Sequence, residues 1–109
     1  MKESQIQKAV EQYLTLLENS GKIVFIKNNS GAFINPKGHF YKMGKSGSPD
    51  FLLFLKYGDC LHLEIKNETY KQTPNQIDYQ KRVEKLGHTY IIMRAVDDLD
   101  KYLKENNLI

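Results

Sequence analysis

Cysteine, long apolar runs and, over one long stretch, acidic residues are all scarce in this sequence, and each shortage excludes something. Cys60 is the sole cysteine in 109 residues, which rules out an intrachain disulfide and a zinc site built on several thiolates. No apolar run approaches the roughly 20 residues needed to span a bilayer. Met1-Lys2-Glu3-Ser4-Gln5 opens directly onto an amphipathic pattern, with no apolar core of a secretion signal. The expectation is a cytoplasmic protein without a membrane partner. From Lys22 to Lys45 there is no Asp or Glu at all, but there are five lysines (Lys22, Lys27, Lys37, Lys42, Lys45) and His39. An acid-free, lysine-bearing, loop-rich stretch suits contact with phosphates, and a plain solvated surface explains it equally well.

The composition, 40% hydrophobic and 27% charged with a net charge of +3, is that of an ordinary soluble globular protein. The length suits one domain over residues 1–109 with a single core. Ser4 to Asn19 reads as a helix, because Ile6, Val10, Tyr13, Leu14 and Leu17 recur at helical intervals, Ser4 and Gln7 have capping-box spacing, and Asn19-Ser20-Gly21 stops it. Lys22 to Asn28 is β-branched and aromatic, hence a strand. Asn29-Ser30-Gly31 and Asn35-Pro36-Lys37-Gly38 are turn signals, and the segments 32–34 and 39–42 can pair as a small hairpin. Met43 to Ser48, with Gly44 and Gly47, reads as a flexible connector or as a lid whose backbone approaches a ligand. Thr73-Pro74-Asn75-Gln76 has the cap, first-turn proline and third-position Gln of a helix start, with Ile77, Tyr79, Val83 and Leu86 as its apolar positions and Gly87 as its end. His88 to Met93 reads as a buried strand and Val96 to Asn106 as a closing helix. The order is αβ(loop)ββαβα, an α/β fold whose mixed β-sheet is flanked by helices.

The most informative stretch joins Gly47-Ser48-Pro49-Asp50-Phe51-Leu52-Leu53-Phe54-Leu55 to Leu61-His62-Leu63-Glu64-Ile65-Lys66 across the turn Lys56-Tyr57-Gly58-Asp59. Residues two apart on a strand share a face, so Cys60, His62, Glu64 and Lys66 point one way while Leu61, Leu63 and Ile65 point the other. Pairing the two strands brings Asp50 near Glu64 and Lys66. Buried charges are normally paired or bind a metal, and carboxylate oxygens are what Mg2+ accepts. Such an ion can polarise a phosphoryl oxygen, with a neighbouring Lys offsetting charge on the phosphate. The plainer alternative is a surface hairpin with a cross-strand Glu–Lys pair. On a helical wheel Glu3 continues the apolar stripe of the first helix and is carried toward the interior edge, although an acid at a helix start also has a purely dipolar role. Lys71, Lys81, Arg82 and Lys85 form a solvated face or a second phosphate-contacting patch.

Pro49-Asp50, Glu64-x-Lys66 and a Gln opening the next helix resemble the PD-(D/E)xK nuclease superfamily. Together with an early helix acid and Leu86-Gly87 before a strand, they resemble its VRR-NUC branch, whose small stand-alone members occur in phages and bacteria. The likeness extends over nearly the whole chain. It implies a restriction-endonuclease-like fold and a divalent-metal-dependent DNA endonuclease. Asp50 and Glu64, with the carbonyl of Ile65, would ligate Mg2+ or Mn2+. Glu3 is the position matching an additional helix acid near the metal. Lys66 would position or activate the attacking water, and Gln76 would lie at the edge of the site or serve only its capping box. His62 and Cys60 share the Glu64 face, and His62 reads as a satisfied neighbour in preference to a ligand. The likeness also implies a homodimer acting on branched, Holliday-junction-like DNA in the bacterial host cytoplasm. Lys27, Lys37, Lys42, Lys45 and Lys71 would touch DNA. Arg82 and Arg94 are the only arginines, which favours recognition of backbone and shape over base reading. A non-catalytic DNA-binding module of a phage recombination or repair complex is the alternative.

Overall fold

The apolar stripe of the first seventeen helical residues organises one side of the molecule. The computed structural model describes residues 1–28 and 31–109; the expected turn at Asn29 and Ser30 lies outside them. Helix α1 (Glu3–Asn19) buries Ile6, Val10, Leu14 and Leu17, the residues that its periodicity singled out. It begins earlier than Ser4: Lys2 is the cap residue, and Gln5 Oε1 accepts the Lys2 N–H at 3.0 Å. The expected Ser4–Gln7 capping box is thus replaced by a single Gln5-to-Lys2 arm two residues nearer the terminus, which places Glu3 inside the first turn.

Four strands, β1 (Val24–Lys27), β4 (Phe51–Phe54), β5 (Cys60–Ile65) and β6 (Thr89–Met93), form a sheet in that spatial order, while β2 (Gly31–Ile34) and β3 (Phe40–Met43) pair as a separate hairpin. β1, β4 and β5 run antiparallel, and β5 pairs with β6 in parallel, so the sheet is mixed. The parallel step needs a crossover, supplied by α2 (Pro74–Lys85); α3 (Val96–Glu105) follows β6. The turn between β4 and β5 is tight: Tyr57 and Gly58 both take positive φ, 66° and 73°.

The two faces of this sheet differ. Phe51, Leu53, Leu61, Leu63 and Ile65 point into a core closed by α1 and by Leu99 and Leu103 of α3. The opposite face carries His62 and Glu64, followed by Lys66, all buried, under α2. No residue of α2 is fully buried; Ile77 and Leu86, expected as core positions, are 39% and 77% exposed. The apolar spacing there overstated the contact because α2 rests on a partly polar face. No helix is long and apolar enough to cross a membrane among the described residues.

Candidate active site

Register brings the first pair of acidic residues together. Phe51 lies opposite Leu63, so continuing one step sets Asp50 opposite Glu64 on the same face of the hairpin. Asp50 Oδ2 accepts the Ile65 N–H at 2.7 Å, which ties the carboxylate to the partner strand. The backbone before it is anchored as well. Asn28 donates its N–H to the Asp50 carbonyl and its side-chain amide to the Pro49 carbonyl and Ser48 Oγ, each at 2.8 Å. Nothing in the sequence marks Asn28 for this task, because its partners are some twenty residues away.

Glu64 is 3% exposed and Lys66 4%. Their charged atoms are 3.5 Å apart, a separation at which a buried pair offsets part of its own desolvation. Glu64 Oε2, although buried, has no hydrogen-bond partner among the described residues. Burial chiefly, and then the Asp50 carboxylate beside it, push the Glu64 carboxyl up to about 8 against the opposing pull of Lys66. Glu3 completes the group: although α1 packs on the other face, its first turn brings one carboxylate oxygen within 4.8 Å of those of Asp50 and Glu64. An all-oxygen donor set with an orphaned, buried carboxylate oxygen fits a hard divalent cation such as Mg2+ or Mn2+.

Lys66 Nζ sits 3.5 Å from the centre of the Tyr70 ring, a cation–π contact. Tyr70 is the site neighbour that sequence reasoning missed. Arg94 holds the intervening loop by donating to the carbonyls of Asn67 and Tyr70, so its guanidinium faces protein backbone. Gln76 acts mainly in the cap: its Oε1 accepts the Thr73 N–H at 3.0 Å, and Thr73 Oγ1 accepts the Gln76 N–H at 3.2 Å. The Tyr70 hydroxyl also reaches Gln76 Oε1 at 3.5 Å. Gln76 thus approaches Lys66 through Tyr70.

The lysines separate. Lys42 and Lys45 line one groove with Ser46, Asn75, Asp78 and Arg82. Lys27 is paired with Glu11 at 3.1 Å. Lys37 lies in the β2–β3 turn, and Lys71 is exposed ahead of α2. The loop from Gly44 to Ser48 is pinned to α2, since Asn75 Nδ2 donates to Ser46 Oγ at 2.8 Å and a Cβ on Gly47 would stand 2.2 Å from the Asn75 carbonyl oxygen. The close approach that Gly47 permits is therefore to the helix, so of the two readings, connector or ligand-contacting lid, the contact accords with a connector held against α2. His62 is satisfied by the Tyr79 hydroxyl and His88 Nδ1, both at 2.9 Å; burial and His88 hold its imidazole below the usual range.

No family model matches the sequence, and no curated protein matches it. In fold, a solved structure described as a VRR_NUC domain superposes with a TM-score of 0.66 at 25% identity, covering 95% of this chain and 96% of that one. The likeness is end to end. The chain has the fold of a VRR-NUC domain. Its mixed sheet flanked by helices is the nuclease-type fold of VRR-NUC domains.

Proposed function

We propose that this protein is a divalent-metal-dependent endonuclease that hydrolyses phosphodiester bonds in branched DNA. One observation carries the reading: three carboxylates and a buried ammonium converge where Glu64 Oε2 has no hydrogen-bond partner among the described residues. Asp50 and Glu64, with Glu3 and the Ile65 carbonyl, would hold Mg2+ or Mn2+. When bound, such an ion supplies Lewis-acid polarisation of a phosphoryl oxygen.

The chain's own residues do the rest. Asp50 is kept oriented by the Ile65 N–H, so little reorganisation accompanies substrate binding. Lys66, held between Glu64 and the Tyr70 ring, positions a water for in-line attack and stabilises the negative charge that grows on the phosphate. The P–O bond to the leaving strand breaks as the water oxygen bonds to phosphorus. Lys42, Lys45 and Arg82 line a groove at the start of α2, and the loop that shapes it runs directly into Asp50; that groove suits the phosphates of one strand. A homodimer would bring two such sites to one junction. Exposed Phe33, Ile34, Phe40, Tyr41 and Met43 on the β2–β3 hairpin offer apolar surface for it, and light scattering gives the mass directly.

The test is cleavage of junction, flap and linear DNA with Mg2+, Mn2+ or EDTA. Branched substrates should be cut only with metal, and Asp50→Asn should bind DNA without cutting it. Junction binding that persists in EDTA with no product in Mn2+ would instead identify a non-catalytic DNA-binding module.

A further inference from the structure

Cys60, His62 and His88 form a second cluster of metal-binding side chains, separate from the carboxylates. Cys60 opens β5, and His88 immediately precedes β6, its parallel neighbour. The cluster therefore lies at the opposite end of this strand pair from Glu64 and Lys66. At the rise of an extended strand, Cys60 and Glu64 are separated by about 13 Å. His62 Nε2 is 2.9 Å from His88 Nδ1 and 3.9 Å from Cys60 Sγ, and the three residues can each offer a ligand atom within 4.8 Å of the others.

Those spacings are close to what one ion requires. Usual bond lengths around tetrahedral zinc put two nitrogens about 3.3 Å apart, and a nitrogen and a thiolate sulfur about 3.6 Å apart. The observed separations bracket both values to within about 0.4 Å, a shift that side-chain rotation can supply. His62 is already arranged as a ligand. Its Nδ1 is 2.9 Å from the Tyr79 hydroxyl, and a hydrogen bond from that nitrogen to an oxygen aims the lone pair of Nε2 at a metal. His62 is buried, Cys60 half-buried and His88 exposed, so an ion would enter from the His88 side.

We propose that Cys60, His62 and His88 bind one Zn2+, or a divalent cation of similar softness, with water in the fourth position. The donor set selects against Mg2+, because thiolate and imidazole favour softer ions whereas the carboxylate cluster favours hard ones. Binding releases one proton to solvent, from the Cys60 thiol. His88 transfers its ring proton from Nδ1 to Nε2, and His62 keeps its own on Nδ1. The bound ion staples the start of β5 to the turn between α2 and β6, closing the end of the parallel pair remote from the carboxylates.

Titration of the reduced whole chain with Co2+ in excess Mg2+ tests this by spectroscopy. One equivalent should give a thiolate-to-cobalt charge-transfer band and tetrahedral visible bands, both removed by Zn2+. The band should persist in Asp50→Asn, vanish in Cys60→Ser, and need at least about tenfold more metal in His88→Ala. One equivalent of Zn2+ should also raise the Tm of the parent but not of His88→Ala, each measured against its own metal-free Tm. A parent without the thiolate band, a His88→Ala variant that binds as tightly as the parent, or loss of the band in Asp50→Asn would each overturn the proposal.

Discussion

The two faces of β5 are built by the same six residues and do opposite work. Leu61, Leu63 and Ile65 enter an apolar core under α1 and α3, where they are almost completely buried. His62 and Glu64, alternating with them and followed by Lys66, are almost as deeply buried on the α2 side. There a carboxylate oxygen has no donor among the described residues, and the covering helix buries no side chain fully. Apolar burial stabilises the fold in proportion to area. A buried ion pair breaks even at best against hydrophobic replacements. Stability is thus concentrated on one face, so the other can hold charge in a dry environment, where electrostatic interactions are strong.

The largest expected effect separates activity from stability. A Glu64→Gln/Lys66→Met double variant should lose cleavage by about 10^3-fold or more. In EDTA its urea midpoint should match or exceed the parent's, because buried ion pairs are often neutral or unfavourable against uncharged replacements. A double variant that unfolds at markedly lower urea would break the contrast between the faces. On the apolar side, Leu63→Ala should cost about 2–5 kcal/mol by chemical denaturation, with the fraction that remains folded still competent to cleave.

Next comes pH. The Glu64 carboxyl is raised from 4.5 to about 8 in the fold, so the folded protein holds a proton that the unfolded chain gives up. The Glu64 contribution to metal-free stability should be fully present below about pH 4.5 and be lost as pH rises through about 8. Mg2+ or Mn2+ should flatten that fall, because a cation beside the carboxylates favours their ionised form. A metal-free Tm that climbs between these limits would contradict the burial argument for Glu64.

The smallest effect decides between two roles for Gln76. Thr73→Ala and Gln76→Ala each break the same capping box and should each cost about 1 kcal/mol. If Gln76→Ala slows cleavage several-fold while Thr73→Ala does not, the contact through Tyr70 matters to the site; equal rates leave Gln76 as a cap alone.

Much of this molecule could be read from one dimension. Period-two alternation over Cys60 to Lys66 separated the two faces before any coordinates, and the Lys56-Tyr57-Gly58-Asp59 turn implied the hairpin that sets Asp50 opposite Glu64. The stripe of α1 named its own buried residues. Such features are legible because they depend on neighbours within a turn or a strand. Leu86 misled for the complementary reason: helical spacing shows which face is apolar but not whether anything covers it. Tyr70 over Lys66, Asn28 behind Pro49, Gly47 against Asn75 and the meeting of Cys60, His62 and His88 carry no local signature.

Local chemistry along the chain thus determined the elements, their order, and which side chains share a face. Packing of distant segments alone decided how deeply Glu64 and Lys66 are buried, and that Glu3 reaches round to join them. The physical reason is that desolvation and charge proximity depend on separations in space, which two residues sixty positions apart in sequence acquire only when the chain folds.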